Sequence, residues 1–231
     1  MIVRKSQIDA LLLKSKNQLD DISEEYKNSL TNQNISNLLK VDIKNFCENL
    51  RSVLDYLAHE IHEQYCSSSS NSRFYFPILS NNSQFTSRMN HWFPSLSTKS
   101  ITLYSFLESI QPYQPNYTWL GYFNKVNTEN KHGSLVQQTR KETTTITVKS
   151  NLVGSSVTWN PENVKFGSGV SLIGIPVDPT TQMPIPSPTQ TVTKTIWVDF
   201  IFDGINQSAL KLLNDSFVGI SHICKKLEAI I

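Results

Sequence analysis

The chain has 231 residues, 39% of them hydrophobic and 17% charged, with a formal net charge of +2. Those values fit a folded chain with one sizeable core or two small ones and exclude an intrinsically disordered one. Residues 1–66 carry eight Lys/Arg and ten Asp/Glu, residues 67–140 six and two, and residues 141–231 seven of each. The basic excess in the middle could help to hold a phosphate backbone, but a solvated surface is the simpler reading. No block resembles a basic arm, and no readout of DNA is expected.

Cys47, Cys66 and Cys224 form an odd, sparse set without paired spacing. That argues against a disulfide scaffold and against a zinc site. The residues after Met1 are amphipathic rather than uninterruptedly apolar, which predicts no signal peptide. No stretch approaches ~18 consecutive apolar residues, so no membrane span is expected and the expected compartment is the cytoplasm.

In chain order, Ile8, Leu11, Leu12, Leu19, Ile22, Tyr26 and Leu30 recur at helical spacing and predict a helix over 6–30. Thr31 to Asn34 reads as a turn. A stronger pattern follows in Leu39, Ile43, Phe46, Leu50, Val53, Leu54, Leu57, Ile61 and Tyr65, giving a helix over 36–66 that ends at the serine run. The short connection suggests antiparallel packing. Residues 73–97 look irregular. Phe74–Phe76 leans towards strand, but Pro77 makes it an edge piece or a docked extended segment. A short helix with Ile101, Tyr104, Leu107 and Ile110 inward must stop near Gln111, ahead of Pro112 and Pro115.

Leu120, Phe123, Val126 and Leu135 predict a further helix over 116–138. Its middle is polar, which is unusual unless those residues serve something. From about Lys141 the chain is rich in β-branched residues. Segments around Thr143–Val148, Val157–Trp159, Val164–Phe166, Val170–Ile173 and Thr191–Phe202 predict three or four antiparallel strands, all between 141 and 203. Asp203-Gly204 turns the chain into a last helix over 207–230, N-capped by Ser208, with Leu210, Leu213, Phe217, Ile220, Cys224, Leu227 and Ile230 on one face. The fold class expected is mainly α (α+β): a four-helix-type bundle over 1–140, a small antiparallel β insertion over 141–204, and a C-terminal helix over 205–231 completing the bundle.

The polar residues that could carry chemistry sit on two of these helices. Arg51, Asp55 and His59 are spaced by four, and each such step turns a helix by about 40° and rises ~6 Å. They form one drifting stripe on which Asp55 can touch either neighbour. The plain reading is an ion pair worth a few tenths of a kcal/mol. The second set is Asn127, Asn130, Lys131 and His132. If the two helices are neighbours, Asp55 can meet Lys131 or His132. A carboxylate fixes an imidazole tautomer and raises its basicity, and a nearby cation steadies developing negative charge. Those parts suffice for metal-independent RNA cleavage, and equally for a purely structural buried network. Beside Tyr113, Trp119 and Asn130 a small ligand could also bind. His59-Glu60-Ile61-His62 lacks the four-residue histidine spacing of a helical zinc site, and no nucleophile elbow or phosphate loop occurs, so no metal or other cofactor is expected.

Asn49-Leu50-Arg51-Ser52-Val53-Leu54-Asp55-Tyr56-Leu57-Ala58, then Phe76-Pro77-Ile78 with Gln111-Pro112-Tyr113, then Leu120 to Asn130-Lys131-His132, resemble in that order a group of uncharacterised bacterial proteins. They also look like a distant member of the HEPN superfamily. The resemblance covers mainly residues 40–135. It implies a helical, typically homodimeric protein acting on RNA, with Arg51 on phosphate, His59 or His132 as base, Asp55 and Lys131 orienting and charging the site, and Asn127, Asn130 and Tyr113 as binding groups. HEPN nucleases carry an Arg and a His at a shorter separation on one helix than the seven residues between Arg51 and His59. The other reading of the same residues is a non-catalytic interaction or small-ligand-binding module.

Overall fold

The computed structural model describes residues 2–32, 35–67, 73–132 and 135–231, and the side chains of residues 30–32, 132 and 197 lie outside that description. The expected roles of Leu30, of the turn at Gln33-Asn34 and of the serine run over 68–72 therefore fall outside the described residues. The chain is α+β, with helix predominating and an antiparallel sheet. It divides into two compact units, residues 1–139 with 200–231, and residues 140–199.

In the first unit, α1 (Lys5–Asn32) lies along α2 (Asn37–Tyr65). Arg4 meets Glu60 and Asn49 meets Gln18, which makes the pair antiparallel. The apolar stripe of α2 is buried throughout: Leu39, Ile43, Phe46, Leu50, Val53, Leu54, Leu57 and Ile61. Ser36 caps α2 by accepting from the Leu39 amide at 3.0 Å. The start of α1 is held by Glu60 instead. Its carboxylate accepts from the Val3 and Arg4 amides at 2.8 and 3.0 Å, while Arg4 also pairs with Glu63. A carboxylate on free amides at a helix start is doubly favourable, through hydrogen bonds and through the helix dipole.

Three short helices follow, α3 (Asn82–Trp92), α4 (Leu96–Lys99) and α5 (Ile101–Ser109). The expected irregular stretch over 73–97 thus contains a helix, capped by Asn81 on the Gln84 amide and anchored by Phe85 and Met89. Two buried apolar residues in a polar background gave little periodicity to read. In α5, Ile101 is exposed and Leu103 is buried in its place beside Leu107 and Ile110. Helix α6 (Thr118–His132) ends six residues short of the expected 138, and Gln138 already opens a strand. The sequence has Gly133 there, a poor helix former. Helix α7 (Ala209–Ile230) is capped by Ser208 and buries Leu212, Leu213, Ile220, Ile223, Cys224 and Leu227 against α1, α2 and α6. Among the described residues no helix is long and apolar enough to cross a membrane.

Strands β1 (Gln138–Ser150), β2 (Ser156–Trp159), β6 (Gln190–Phe202) and β7 (Gln207–Ser208) make a sheet in the order β2-β1-β6-β7; β3 (Ser171–Leu172), β4 (Ile175–Asp178) and β5 (Met183–Pro184) make a second, in sequence order. Strand content exceeds the three or four expected and reaches beyond both limits, 141 and 203. Phe74–Phe76 is extended without being a strand, and Val164–Phe166 is not a strand. The core of the 140–199 unit is small, with Ile146, Val148 and Trp159 buried and Phe166, Leu172, Ile173 and Met183 packed on them.

Where α6 crosses α7, the Trp119 ring lies against Gly219. A Cβ at 219 would stand 2.1 Å from the indole. Gly219→Ala should therefore lower stability by about 1–3 kcal/mol through overpacking. A helical glycine in open space would instead gain about 1 kcal/mol from the same change. Chemical denaturation decides between the two signs.

Candidate functional site

The resemblance-bearing motifs converge on one extended stretch, Phe76-Pro77-Ile78-Leu79. Phe76 and Pro77 are buried, and proline has no amide to donate. Among the described residues the stretch has no strand partner, and side chains take up several of its remaining backbone groups. Asp55 Oδ1 accepts from the Phe76 amide at 3.3 Å, and Arg51 donates to the Phe76 carbonyl at 3.4 Å. On the other side Gln111, fully buried, accepts from the Leu79 amide at 2.9 Å and donates to the Pro77 carbonyl at 3.1 Å. Its amide nitrogen also reaches the Leu107 carbonyl of α5 at 2.7 Å.

Arg51 and Asp55 are themselves an ion pair at 2.9 Å, with side chains 11% and 31% exposed. A third contact runs from Arg51 to Asn124 Oδ1 of α6 at 3.4 Å. Arg51 thus joins α2, α6 and the 76–79 stretch at one point, and its guanidinium is turned inward on protein acceptors.

The other expected site residues are placed differently. His59 is exposed, its ring edge-on to Phe74 at 4.8 Å. Lys131 is exposed, and among the described residues no ion pair joins it to Asp55. The His132 side chain lies outside the described residues. Asn127 and Asn130 are buried at 3% and 6% exposure. Asn130 accepts from the Val136 amide at 3.0 Å and so holds the chain leaving α6. Among the described residues its Nδ2 and the Asn127 Oδ1 have no hydrogen-bond partner. Tyr113 is partly buried, and burial pushes its phenol up. Arg51 and Asp55 are therefore brought together, and α6 meets Arg51 through Asn124, a residue that sequence reasoning did not single out.

His62 is another residue the sequence reading passed over. It is buried, stacks on Phe74 with ring centres 4.1 Å apart and planes 4° from parallel, and has Phe93 edge-on at 6.2 Å. Among the described residues its Nε2 has no hydrogen-bond partner. Burial, and secondarily His59, lower its pKa from 6.5. The thiols offer no nucleophile: all three cysteines are buried, and burial pushes Cys47 and Cys224 up to about 12. Among the described residues no group of three or more His, Cys, Asp or Glu could hold a metal ion.

Comparison with known proteins finds no matching family model, no similar curated sequence and no similar solved structure.

Two outcomes follow from this geometry. Asp55→Ala leaves the Phe76 amide without its acceptor and the part-buried Arg51 without its counter-charge, and should cost about 1–3 kcal/mol in urea unfolding, with Asp55→Asn losing less. An unchanged midpoint in the alanine variant would remove the structural role of the pair. For His62, the neutral form is favoured in the fold. Its stabilising contribution is complete above 6.5 and is lost as pH falls through the lowered folded value. The melting temperature should drop across that window, and His62→Phe, which retains the stack, should flatten the drop.

Proposed function

We propose that the chain is a non-catalytic binding module whose helical unit, a four-helix-type bundle of α1, α2, α6 and α7, is braced by the Arg51–Asp55–Gln111 clamp. The observation that carries this reading is that the clamp's polar atoms face the protein's own backbone. A catalytic cation must be free to meet developing charge on a substrate. Arg51 instead has Asp55, Asn124 and the Phe76 carbonyl as acceptors. The clamp is thus the structural network that these residue types also permit.

The second reading is a HEPN-like, cytoplasmic, homodimeric ribonuclease of a defence or toxin–antitoxin setting. One observation favours it: α2 and α6, which carry the two halves of the polar set, do pack on each other. In that reading the exposed His59 and Lys131, with His132, flank the clamp and Arg51 takes phosphate after releasing Phe76.

Purified protein incubated with end-labelled RNA, with and without EDTA, separates the two. The binding-module reading expects intact RNA from wild type and early melting from Asp55→Ala. RNA cleavage by wild type, abolished in His132→Ala or Arg51→Ala with the thermal midpoint nearly unchanged, would overturn it. A dimeric mass by light scattering at micromolar concentration belongs with the ribonuclease reading, which needs a composite site.

A further inference from the structure

We infer that the 140–199 unit carries a site for a small amphipathic amine, an apolar or aromatic body bearing a protonated nitrogen. The site is a half-open cavity of about 710 Å³ whose apolar wall is Met183, Pro184, Ile185 and Val192, with Asp178 and Gln190 among its polar groups. Small-molecule sites are commonly roughly 300–1,000 Å³, mostly apolar, with a few placed polar groups.

The wall is built in advance of any ligand. Asp178 and Val177 pair with Met183 and Pro184 across the β4–β5 ladder. The Ile185 amide donates to the Pro176 carbonyl at 3.0 Å. Gln190 Nε2 is tied to the Leu172 and Ile173 carbonyls at 2.8 and 3.3 Å. Met183 is packed on the unit's own core. Ile185 and Val192, by contrast, are 52% and 38% exposed, so apolar surface faces the cavity instead of that core. A preorganised wall reduces the ordering that binding must pay for.

Charge selects the ligand's polar end. Asp178 Oδ1 accepts from the Thr180 and Thr181 amides at 2.8 and 3.4 Å. The Thr180 amide above all, with Thr181, holds the carboxyl below its usual range. Among the described residues no Lys, Arg or His forms an ion pair with it. An unpaired carboxylate at the rim of an apolar cavity attracts a cation and repels an anion of the same shape.

The proposal goes beyond the clamp. It stands on residues 140–199 alone, and neither result of the RNA experiment touches it. Tryptamine and indole-3-propionate share a ring and differ in the sign of charge. Titrated into the ¹⁵N-labelled full chain, tryptamine should shift the amides of Met183, Ile185 and Val192 saturably, and indole-3-propionate should bind about fivefold more weakly or not at all. Asp178→Asn retains the acceptor of the turn without the charge and should erase the difference. Ile185→Lys, a substitution at an exposed position, should abolish tryptamine binding while leaving the fold intact. The inference is overturned if tryptamine produces no saturable shift at millimolar concentration. It is equally overturned if the shifts lie outside 140–199, or if the two probes bind alike to the wild-type chain.

Discussion

The helical unit depends on how one half-buried stretch, without a strand partner among the described residues, has its backbone satisfied. Phe76 to Leu79 runs extended between helices, and an unpaired buried backbone group costs about 1–3 kcal/mol. Three side chains meet that demand. Asp55 and Arg51 take the amide and carbonyl of Phe76, and Gln111 takes the carbonyl of Pro77 and the amide of Leu79. Asp55 and Arg51 come from α2, while Gln111 follows α5 and Arg51 reaches on to Asn124 in α6. The stretch is therefore the point at which helices far apart in sequence are tied together. Phe76 is 1% exposed and packed in the core, so displacing it would lose apolar burial together with the hydrogen bonds.

The long helices were legible because their burial is one-sided. The positions read as the apolar stripe of α2 are buried from Leu39 to Ile61, and the Ser208 cap of α7 stands where its side chain suggested. Helix α3 was not legible, since only Phe85 and Met89 anchor it and its start is an asparagine in an Asn/Ser-rich stretch. The end of α6 was misread because Leu135 was counted on the face of Leu120, Phe123 and Val126, although a helix carried nine residues on from Val126 would present it on the opposite side. In the β-rich region, short strands such as Ser171–Leu172 and Met183–Pro184 are set by turns and pairing rather than by a period in the sequence.

The polar set shows why residue type and spacing leave chemistry open. An arginine four residues before an aspartate gives an ion pair on a helix whether or not anything binds there. What separates a site from a brace is where the remaining donors point, and that is decided by Phe76 and Asn124, which are distant in sequence. Glu60 makes the same point. It lies between two histidines and reads as part of a polar cluster, yet its carboxylate accepts the Val3 and Arg4 amides and the Arg4 guanidinium at the start of α1. His62, whose pKa burial lowers, is stacked on Phe74 with Phe93 edge-on, and among the described residues its buried Nε2 has no hydrogen-bond partner. Its environment follows from packing against the same incoming segment that the clamp fixes.

The two units are held by different means. The helical unit buries an extensive core, whereas the 140–199 unit, about sixty residues, has three residues in its own buried cluster among the described side chains. A domain of that size can bury little of its unfolded surface. Its order rests instead on local polar devices. Ser150 accepts from the Leu152 and Val153 amides, Asn160 from Glu162, Asp178 from Thr180 and Thr181, and Gln182 exchanges hydrogen bonds with the Phe166 backbone. Such turns fix a backbone while leaving apolar side chains with few neighbours, and Ile185 and Val192 are in that position. Apolar surface gained from outside would therefore contribute proportionally more in this unit than in the helical one.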